Sequence, residues 1–304
     1  MEHIDFHISY QCGNKCIFCS SSEAIKDFKN RPLKLEQIAN ILKAKKGKFK
    51  SVNFTGGEPT LYPNFLELIK TAKNYGYKIY VGSNGGKFSD KDFCKQAANS
   101  IDEVCFSFHG HKSALHNFHT KNKNSFKNII KAADNFKDLP VRLYTNTVVT
   151  KYNINHLESI LKLIAELGCA KQVLISNLAP EGKGLDGYDE LAVRLGDFKK
   201  IVPVLAKISE KNGLVIKFFG FPACVLGKYA VHSNDFVWDE RLNIEQIKDI
   251  GGYSIGESEG FSPTRGRIKT EKCENCFYGK ICGGIFEKYY KKFGDKEIKA
   301  VINE

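Results

Sequence analysis

The chain is 304 residues long and 42% hydrophobic, which is enough to bury the interior of one large domain or of a core with a small appendage. Its formal net charge is +12, which would fit a nucleic acid or another anionic partner. Only six of the 46 basic residues are arginine, and the lysines are scattered along polar helix faces, so a solvated surface explains the charge better than a nucleic-acid site.

The first residues carry neither a basic region nor an apolar run, and no stretch of eighteen uninterrupted apolar residues occurs in the sequence. These features predict a cytoplasmic protein with no membrane partner. The chain also has ten cysteines. Because cytosolic thiols are kept reduced, we expect these cysteines to bind metal rather than to form disulfides.

Short strand-like runs alternate with amphipathic helical runs over most of the chain. We predict strands at residues 3–10, 50–54, 78–81, 103–108, 141–149 and 172–176, and helices that include 63–75 and 155–167. This alternation is typical of a parallel sheet with crossover helices, and therefore of an α/β fold. Ligands of such sheets collect where the strands end, so side chains that follow the strands are candidate site residues.

Three cysteines follow the first predicted strand with the spacing CxxxCxxC: Cys12, Cys16 and Cys19. A [4Fe-4S] cluster has four iron corners, so a loop with three thiolates leaves one iron free to bind a ligand that is not protein. Zinc binding with a distant fourth ligand and redox-active thiols are the alternatives. A second motif, Gly56-Gly57-Glu58-Pro59, follows the second predicted strand and favours the cluster.

Together the two motifs resemble those of the radical S-adenosylmethionine (SAM) superfamily. The resemblance implies a partial (β/α)6 TIM-like barrel and an enzyme in which the open iron of a [4Fe-4S] cluster chelates SAM. It further implies that SAM is cleaved reductively to a 5′-deoxyadenosyl radical, which abstracts a hydrogen atom from the substrate. An external electron donor of the flavodoxin or ferredoxin type would supply the electron.

The resemblance also implies SAM-binding roles for residues at the strand ends. Gly56, Gly57, Glu58 and Pro59 would hold the methionyl ammonium of SAM through backbone and carboxylate. Ser83-Asn84-Gly85 resembles the turn that approaches bound SAM, and Ser107 resembles the hydroxyl that reaches its ribose. Asn146 and Asn177 occupy positions that line the adenine. Each of these residues also fits ordinary turn or strand chemistry.

A second cysteine set lies beyond the predicted barrel: Cys224, Cys273, Cys276 and Cys282. Its spacing, CxxCx5C with an upstream cysteine, resembles the C-terminal extension called twitch, a shortened relative of the SPASM domain. The resemblance implies a second, auxiliary [4Fe-4S] cluster with four protein ligands, which serves electron transfer or anchoring. A structural four-cysteine zinc site is the alternative. We predict a radical SAM core at residues 1–213 and an auxiliary-cluster domain at 214–304.

The segment between Cys224 and Cys273 is rich in glycine and polar residues, and we predict that it is part lid and part linker. Arg265 and Arg267 lie near its end. They either bind a carboxylate or phosphate of the substrate or balance the negative charge of the auxiliary cluster.

Cys105 shares a strand face with Ser107, so an inward Ser107 implies an inward Cys105. Its thiol is a candidate hydrogen-atom donor to a substrate radical, as in the epimerases of the resembling family, and packing as a small buried hydrophobe is the alternative.

Two more candidate substrate residues, Arg142 and Tyr144, share a face with Asn146. Arg142 either faces an anionic partner inside the barrel or reaches solvent at the start of its strand. His109 is the one histidine of 109–119 that we place near the substrate. The spacing of the others fits no single helical face, so we predict that they are loop residues.

These observations predict a radical SAM enzyme, and the resembling SPASM and twitch enzymes make a ribosomal peptide the first expected substrate. Cys12 leaves no room upstream for the usual winged-helix peptide-binding module, so a separate peptide-recognition protein is an expected partner. A dehydrogenase or epimerase of a sugar, an aminocyclitol or another small molecule is the alternative. Nucleic-acid modification and a non-catalytic metal-binding adaptor are weaker alternatives, and an adaptor predicts GGEP far from the first three cysteines.

Overall fold

The structure is a computed structural model that describes residues 2–237, 239–260 and 265–302. Its strands are β1 (His3–Ser9), β2 (Ser51–Gly56), β3 (Lys78–Ser83), β4 (Glu103–Ser107), β5 (Arg142–Val148), β6 (Ala170–Ser176), β7 (Val215–Phe219), β8 (Arg241–Asp249), β9 (Gly252–Glu259), β10 (Arg267–Ile268) and β11 (Ile285–Phe286). Its α-helices are α1 (Ser22–Phe28), α2 (Leu35–Ala44), α3 (Phe65–Asn74), α4 (Lys91–Ala98), α5 (Ser113–Thr120), α6 (Ser125–Asn135), α7 (Leu157–Leu167), α8 (Lys183–Asp186), α9 (Tyr188–Leu191), α10 (Leu195–Lys211), α11 (Ala223–Leu226) and α12 (Glu287–Phe293). None of the helices in these ranges combines the length and the apolar character that a bilayer-spanning helix needs.

One large sheet holds nine strands in the order β7-β6-β5-β4-β3-β2-β1-β8-β9. From β1 to β7 each strand pairs in parallel with the next, and helices connect them. The six predicted strands and their parallel arrangement are confirmed. The structure adds β7 as a seventh parallel strand after α10.

The two faces of β1 show how the sequence pattern builds this sheet. Ile4, Phe6 and Ile8 are buried in one hydrophobic cluster with residues of the surrounding helices. The alternate residues His3 and Asp5 face the inner side of the sheet, the lumen, as strand geometry requires. The lumen contains a cavity of about 310 Å³, whose lining includes Asp5, Asn53, Tyr80, Cys105 and Tyr144.

The segment after Cys224 differs from the prediction, because much of it is strand rather than lid or linker. β8 pairs in parallel with β1, with Phe6 opposite Ile244, and β9 returns antiparallel to β8. Ile244 is fully buried by this pairing. Glycines and polar side chains suggested a loop, but they suit an exposed edge strand equally well. The strands β7, β8 and β9 thus follow the predicted domain boundary at residue 213 and still belong to the main sheet.

The C-terminal residues form a small separate sheet. β10 and β11 pair antiparallel, with Arg267 opposite Phe286 and Ile268 opposite Ile285. Between them lie Cys273, Cys276 and Cys282, so this small sheet frames the second cysteine set.

Candidate active site at the carboxyl edge of the sheet

The first three cysteines lie in the loop from the end of β1 to the start of α1, which we call the cluster loop (residues 10–21). The Asn14 backbone N–H donates to Cys12 Sγ over 3.4 Å. Burial raises the pKa of Cys12 to about 11 and that of Cys16 to about 12. A bound metal deprotonates such thiols outright.

The three thiols of the cluster loop fit an iron–sulfur cluster by their chemistry. Cys12 and Cys19 are close enough to Cys16 for their charges to add to the rise in its pKa that burial causes. Three thiolates hold three corners of a four-iron cube, so this donor set fits a [4Fe-4S] cluster with one iron open to another ligand.

Helix α5 and the start of α6 hold the cluster loop in place. The Lys15 N–H donates to the Thr120 carbonyl over 2.8 Å, and the Ile17 N–H donates to the His119 carbonyl over 2.9 Å. The Asn14 amide donates to Ser125 Oγ over 3.3 Å. The terminal carbonyls of α5, which have no partners within the helix, thus fix the loop that carries the cysteines.

The histidines at 116 and 119 are not loop residues, and that prediction is wrong. Both lie on α5 and are fully buried. His119 Nε2 contacts Thr150 Oγ1 at 2.8 Å, and His116 Nε2 contacts Ser125 Oγ at 3.1 Å. Burial lowers the pKa of both, that of His116 to about 4, so both are neutral near pH 7.

The GGEP turn contacts the entrance of the cluster loop directly. The Gly57 N–H donates to the Ser9 carbonyl over 2.6 Å, and the Glu58 N–H donates to the Gln11 carbonyl over 2.7 Å. A Cβ on Gly57 would lie 2.6 Å from the Gln11 carbonyl oxygen. Only glycine permits this approach, so the two motifs meet at one edge, which contradicts the adaptor alternative.

The Glu58 carboxylate ties the second strand end to the third. Its Oε1 accepts from the Thr60 hydroxyl over 2.6 Å and from the Ser83 hydroxyl over 2.8 Å, and its Oε2 accepts from the Asn84 N–H over 2.7 Å. Burial raises the pKa of Glu58, and these hydrogen bonds oppose the rise. Asn84 Nδ2 also reaches Cys12 Sγ at 3.6 Å, which links this turn to the first cysteine.

The remaining predicted SAM-binding residues lie along the same edge. Ser107 is the last residue of β4 and pairs with Asn146 on β5. Asn146 Oδ1 accepts from the Ser176 hydroxyl over 2.7 Å. Asn177 directly follows β6, and its amide donates to the Gly220 carbonyl over 3.0 Å. Ser107, Asn146 and Asn177 therefore lie at or next to the carboxyl ends of the adjacent strands β4, β5 and β6.

The predicted substrate residues are placed at different depths. Cys105 and Tyr144 line the lumen cavity, which lies toward the amino ends of the strands, and burial raises the pKa of Cys105 to about 12, so it keeps its S–H. His109 is buried, with its ring centroid 4.7 Å from that of Phe18. Arg142 does not reach the carboxyl edge of the sheet: it begins β5, its side chain is 65% exposed, and it pairs with Glu103 at 3.3 Å. It takes the solvent-facing alternative.

The second cysteine set converges in the C-terminal region. Cys224, Cys273, Cys276 and Cys282 all line one small cavity. Burial raises the pKa of Cys224, and the charges of the other three thiols add to the rise. Backbone N–H groups of Ala223 and Gly284 each donate to Cys282 Sγ over 3.4 Å. Four thiols around one cavity, with backbone hydrogen bonds to sulfur, are a donor set that could hold an iron–sulfur cluster through four protein ligands.

Arg267 is not available to a substrate in this structure. Its guanidinium pairs with Asp235 at 2.6 Å, and the two side chains are 1% and 2% exposed. The guanidinium also packs against the rings of Phe219 and Phe286. Since Asp235 accepts from the Gly220 N–H, this pair joins the small sheet to the end of β7. Arg265 is exposed beside residues 261–264, which lie outside the described ranges, and its role stays a prediction.

We predict that Arg267→Met lowers the free energy of unfolding by about 3–5 kcal/mol, because Asp235 would remain buried without its partner. Urea denaturation should show a larger loss at pH 8 than at pH 5.5. Burial raises the pKa of Asp235, and without Arg267 it would rise further, so stability would be retained at low pH and lost as the pH increases through that pKa.

The matched control is Lys162→Met, which removes an exposed i,i+4 pair with Glu158. It should change the free energy of unfolding by no more than about 0.5 kcal/mol. A similar small effect for Arg267→Met would contradict the assignment of a structural ion pair.

Sequence reasoning missed a segment after β6 that packs on the cluster loop. The Lys183 N–H donates to the Cys19 carbonyl over 3.0 Å. A Cβ on Gly182 would lie 2.6 Å from that carbonyl oxygen, and one on Gly184 would lie 2.4 Å from the Ala179 carbonyl oxygen. The sequence Gly182-Lys183-Gly184 could have indicated this contact, because glycines allow one backbone to approach another closely.

The first cysteine set and the GGEP turn both lie in a part of the chain that matches a known protein family. Residues 6–164 match the family model described as the Radical SAM superfamily. The Mycofactocin maturase MftC of Mycolicibacterium smegmatis is 28% identical over 194 residues, which cover 62% of this chain and 47% of that protein. An S-adenosylmethionine-dependent nucleotide dehydratase of Flammeovirga pacifica is 29% identical over 213 residues, covering 66% of this chain and 70% of that protein. The chain spans about half the length of the maturase.

Among solved structures, Streptococcus suis SuiB bound to S-adenosylmethionine matches with a TM-score of 0.66 and 17% sequence identity. The match covers 98% of this chain and 76% of SuiB. At this identity the likeness concerns the fold alone. It confirms the predicted α/β fold, with a partial barrel and a small C-terminal extension.

Proposed function

This chain belongs to the radical SAM superfamily and is a radical SAM enzyme, and we propose that it abstracts a hydrogen atom from a ribosomally made peptide in order to modify it. The contact between the GGEP turn and the three-cysteine loop carries the catalytic part of this proposal. The peptide part draws its support from the similarity to a protein named a maturase. An external one-electron donor and a separate peptide-recognition protein are the proposed partners.

When bound, the [4Fe-4S] cluster and SAM supply the electron and the 5′-deoxyadenosyl radical that takes the hydrogen atom. Cys12, Cys16 and Cys19 would hold three of the four irons. The residues around them keep this loop rigid, since α5 carbonyls and the GGEP turn bind its backbone on two sides. Rigid placement matters because hydrogen abstraction requires the two reacting atoms to be closely aligned.

The strand ends would bind the rest of SAM. Glu58 Oε2 accepts the Asn84 N–H and, as a carboxylate oxygen, has capacity for a further donor such as the methionyl ammonium. Ser107 and Asn146 offer a hydroxyl and an amide near the carboxyl ends of β4 and β5, where ribose and adenine would need hydrogen-bond partners.

We propose that Cys224, Cys273, Cys276 and Cys282 hold an auxiliary [4Fe-4S] cluster. Four protein ligands would leave it without an open iron, so it would accept or relay an electron rather than coordinate the substrate. The buried Asp235–Arg267 pair would keep this cluster at a fixed distance from the end of β7.

A small-molecule substrate is the second candidate. A similar protein is named a nucleotide dehydratase, which favours a small molecule. Cys105, whose buried thiol keeps its S–H, would serve an epimerase by giving a hydrogen atom to the substrate radical.

Anaerobic reconstitution with iron and sulfide, followed by reduction with dithionite in the presence of SAM, tests the enzyme class. We expect 5′-deoxyadenosine to accumulate, as measured by mass spectrometry. Reconstituted protein that contains only zinc at the first cysteines, or that releases no 5′-deoxyadenosine, would contradict the proposal.

We predict that Cys276→Ala removes about four iron atoms per chain but retains SAM cleavage to within about threefold of the parent protein. The cysteine lies in the second set, away from the GGEP contact, and should affect only the later electron step. Iron analysis and 5′-deoxyadenosine release are the measurements. An equal loss of SAM cleavage in Cys276→Ala and in a variant of the first cysteine set would refute this division of roles, provided that circular dichroism shows folded protein.

A further inference from the structure

Two large aromatic side chains lie side by side on the surface near the cluster loop. Phe118 on α5 and Tyr152 after β5 are each 38% exposed, and their ring centroids are 4.8 Å apart. The Lys121 ammonium lies 4.4 Å from the Phe118 ring centroid, and the Lys151 ammonium lies 5.2 Å from that of Tyr152. Together with exposed Lys15, these residues form an aromatic and cationic surface that we call the Phe118 patch.

The Phe118 patch is continuous with the cluster loop. The Lys15 backbone donates to the Thr120 carbonyl over 2.8 Å, directly beside Lys121. The Phe118 ring centroid is 5.5 Å from that of His119, and His119 is in turn 5.8 Å from Phe18, the residue before Cys19. A protein bound at the patch would therefore sit one layer of side chains from the cysteines.

The sequence around the patch has an unusual charge distribution. Residues 104–133 contain five lysines and no aspartate or glutamate, and residues 6–22 and 139–157 also lack carboxylates. Asp189 lines a shallow groove with Lys151, but it pairs with Lys292 at 3.3 Å. The three segments that form the patch and the cluster loop thus present positive charge without acidic side chains of their own, which attracts an acidic surface.

We propose that the Phe118 patch is the docking surface for an acidic one-electron donor protein of the flavodoxin or ferredoxin type. This inference rests on the proposed function, because it requires a cluster at Cys12, Cys16 and Cys19. One electron leaves the reduced donor, which is oxidised by one electron, and the cluster is reduced by one electron. No covalent bond forms or breaks in this step.

Charge and position both favour this partner. An acidic donor gains steering from the lysines and buries the exposed aromatic pair, and electron transfer needs the close approach to the cysteines that the patch provides. A nucleic acid would also be attracted by lysines and could stack on aromatic rings. It has no need of a surface beside the cysteines, and it enters the experiment as a competing outcome.

Stopped-flow reduction of the reconstituted holoenzyme tests the proposal, with a purified acidic flavodoxin as one reductant and dithionite as the other. In the double variant Lys121→Glu/Lys151→Glu, we expect flavodoxin to reduce the cluster at least about tenfold more slowly at low salt. Added salt should slow the parent protein and have little effect on the variant. Dithionite is small and needs no docking surface, so its rate should not change.

The matched control is Lys70→Glu/Lys207→Glu, on exposed faces of α3 and α10. Each Lys→Glu change lowers the net charge by two, so both double variants go from +12 to +8. The control should retain the flavodoxin rate to within about twofold. Equal slowing in both variants would show that net charge alone matters and would overturn the proposal, as would an unchanged rate in the patch variant.

Phe118→Ser provides a second test that leaves the charge unchanged. It should weaken flavodoxin binding, measured with labelled flavodoxin by fluorescence anisotropy, without altering reduction by dithionite. The docking proposal is overturned if an oligonucleotide binds the patch and the affinity for flavodoxin is unchanged in both the charge-reversal variant and Phe118→Ser. A parent protein in which dithionite reduces no cluster would instead contradict the proposed function, so the two failures are distinguishable.

Discussion

Cys16→Ala is expected to abolish SAM cleavage. Cys16 is the central thiol of the cluster loop, and two thiolates cannot hold a four-iron cube that binds SAM through its remaining iron. We expect 5′-deoxyadenosine to fall to the level of a protein-free control and the iron content to fall by about four atoms per chain, with the iron of the second cysteine set retained. Iron analysis, electron paramagnetic resonance of the reduced protein and mass spectrometry are the measurements.

Cys94→Ala is the matched control for this variant. Cys94 is also buried, but it lies on α4 within the hydrophobic cluster and away from both cysteine sets. It should keep its full iron content and its SAM cleavage, with only the small loss of stability that a truncated core side chain brings. Detectable SAM cleavage by Cys16→Ala above the protein-free control would contradict the assignment of the cluster to these thiols.

The sequence was most informative where local pattern and position along a strand agree. Strand-like runs that alternate with helical runs predict the parallel sheet, and the cysteines that follow the first strand predict a site at its carboxyl edge. The GGEP turn gains its meaning from the cysteine motif beside it and from the resemblance of the two together to a known family, because a glycine pair alone marks only an ordinary loop after a strand. The structure shows the close approach of the turn to the entrance of the cluster loop, in the hydrogen bond from Gly57 to Ser9.

Tertiary pairing was less readable from the sequence. Ile244 is buried only because β8 pairs with β1, a partner more than two hundred residues earlier in the chain. His119 is buried because Thr150 and the Leu115 carbonyl satisfy its ring nitrogens. No local pattern identifies either partner. For this reason the sequence alone predicts a linker where β8 and β9 lie and a loop where α5 lies.

The role of a charged residue depends on its partner, which the local sequence does not show. Arg267 was a substrate candidate on the basis of its place near the second cysteine set. In the structure Arg267 forms a buried ion pair with Asp235, and no sequence motif marks Asp235 as its partner. Glu58 shows the reverse case, since its motif identified it and the structure adds the three residues that donate to its carboxylate.

Gly57→Ala should reduce SAM cleavage about a hundredfold, while the cluster is still assembled. A Cβ at this position would lie 2.6 Å from the Gln11 carbonyl oxygen and 2.9 Å from the Tyr10 carbonyl carbon, both of which are backbone atoms. The GGEP turn and the cluster loop would have to separate, and displacements of about 1 Å at a reacting centre are costly on this scale. Because Cys12, Cys16 and Cys19 are untouched, iron content and the reduced-cluster signal should persist.

The loss should appear mainly as weaker SAM binding, measured by the change that SAM causes in the paramagnetic resonance of the reduced cluster. Gly251→Ala is the matched control, since its Cβ would meet its nearest neighbour, Asp249 Oδ1, at an ordinary contact distance of 3.4 Å. It should leave SAM binding and cleavage unchanged. If Gly57→Ala bound and cleaved SAM as the control does, the direct contact between turn and loop would not be what positions SAM against the open iron.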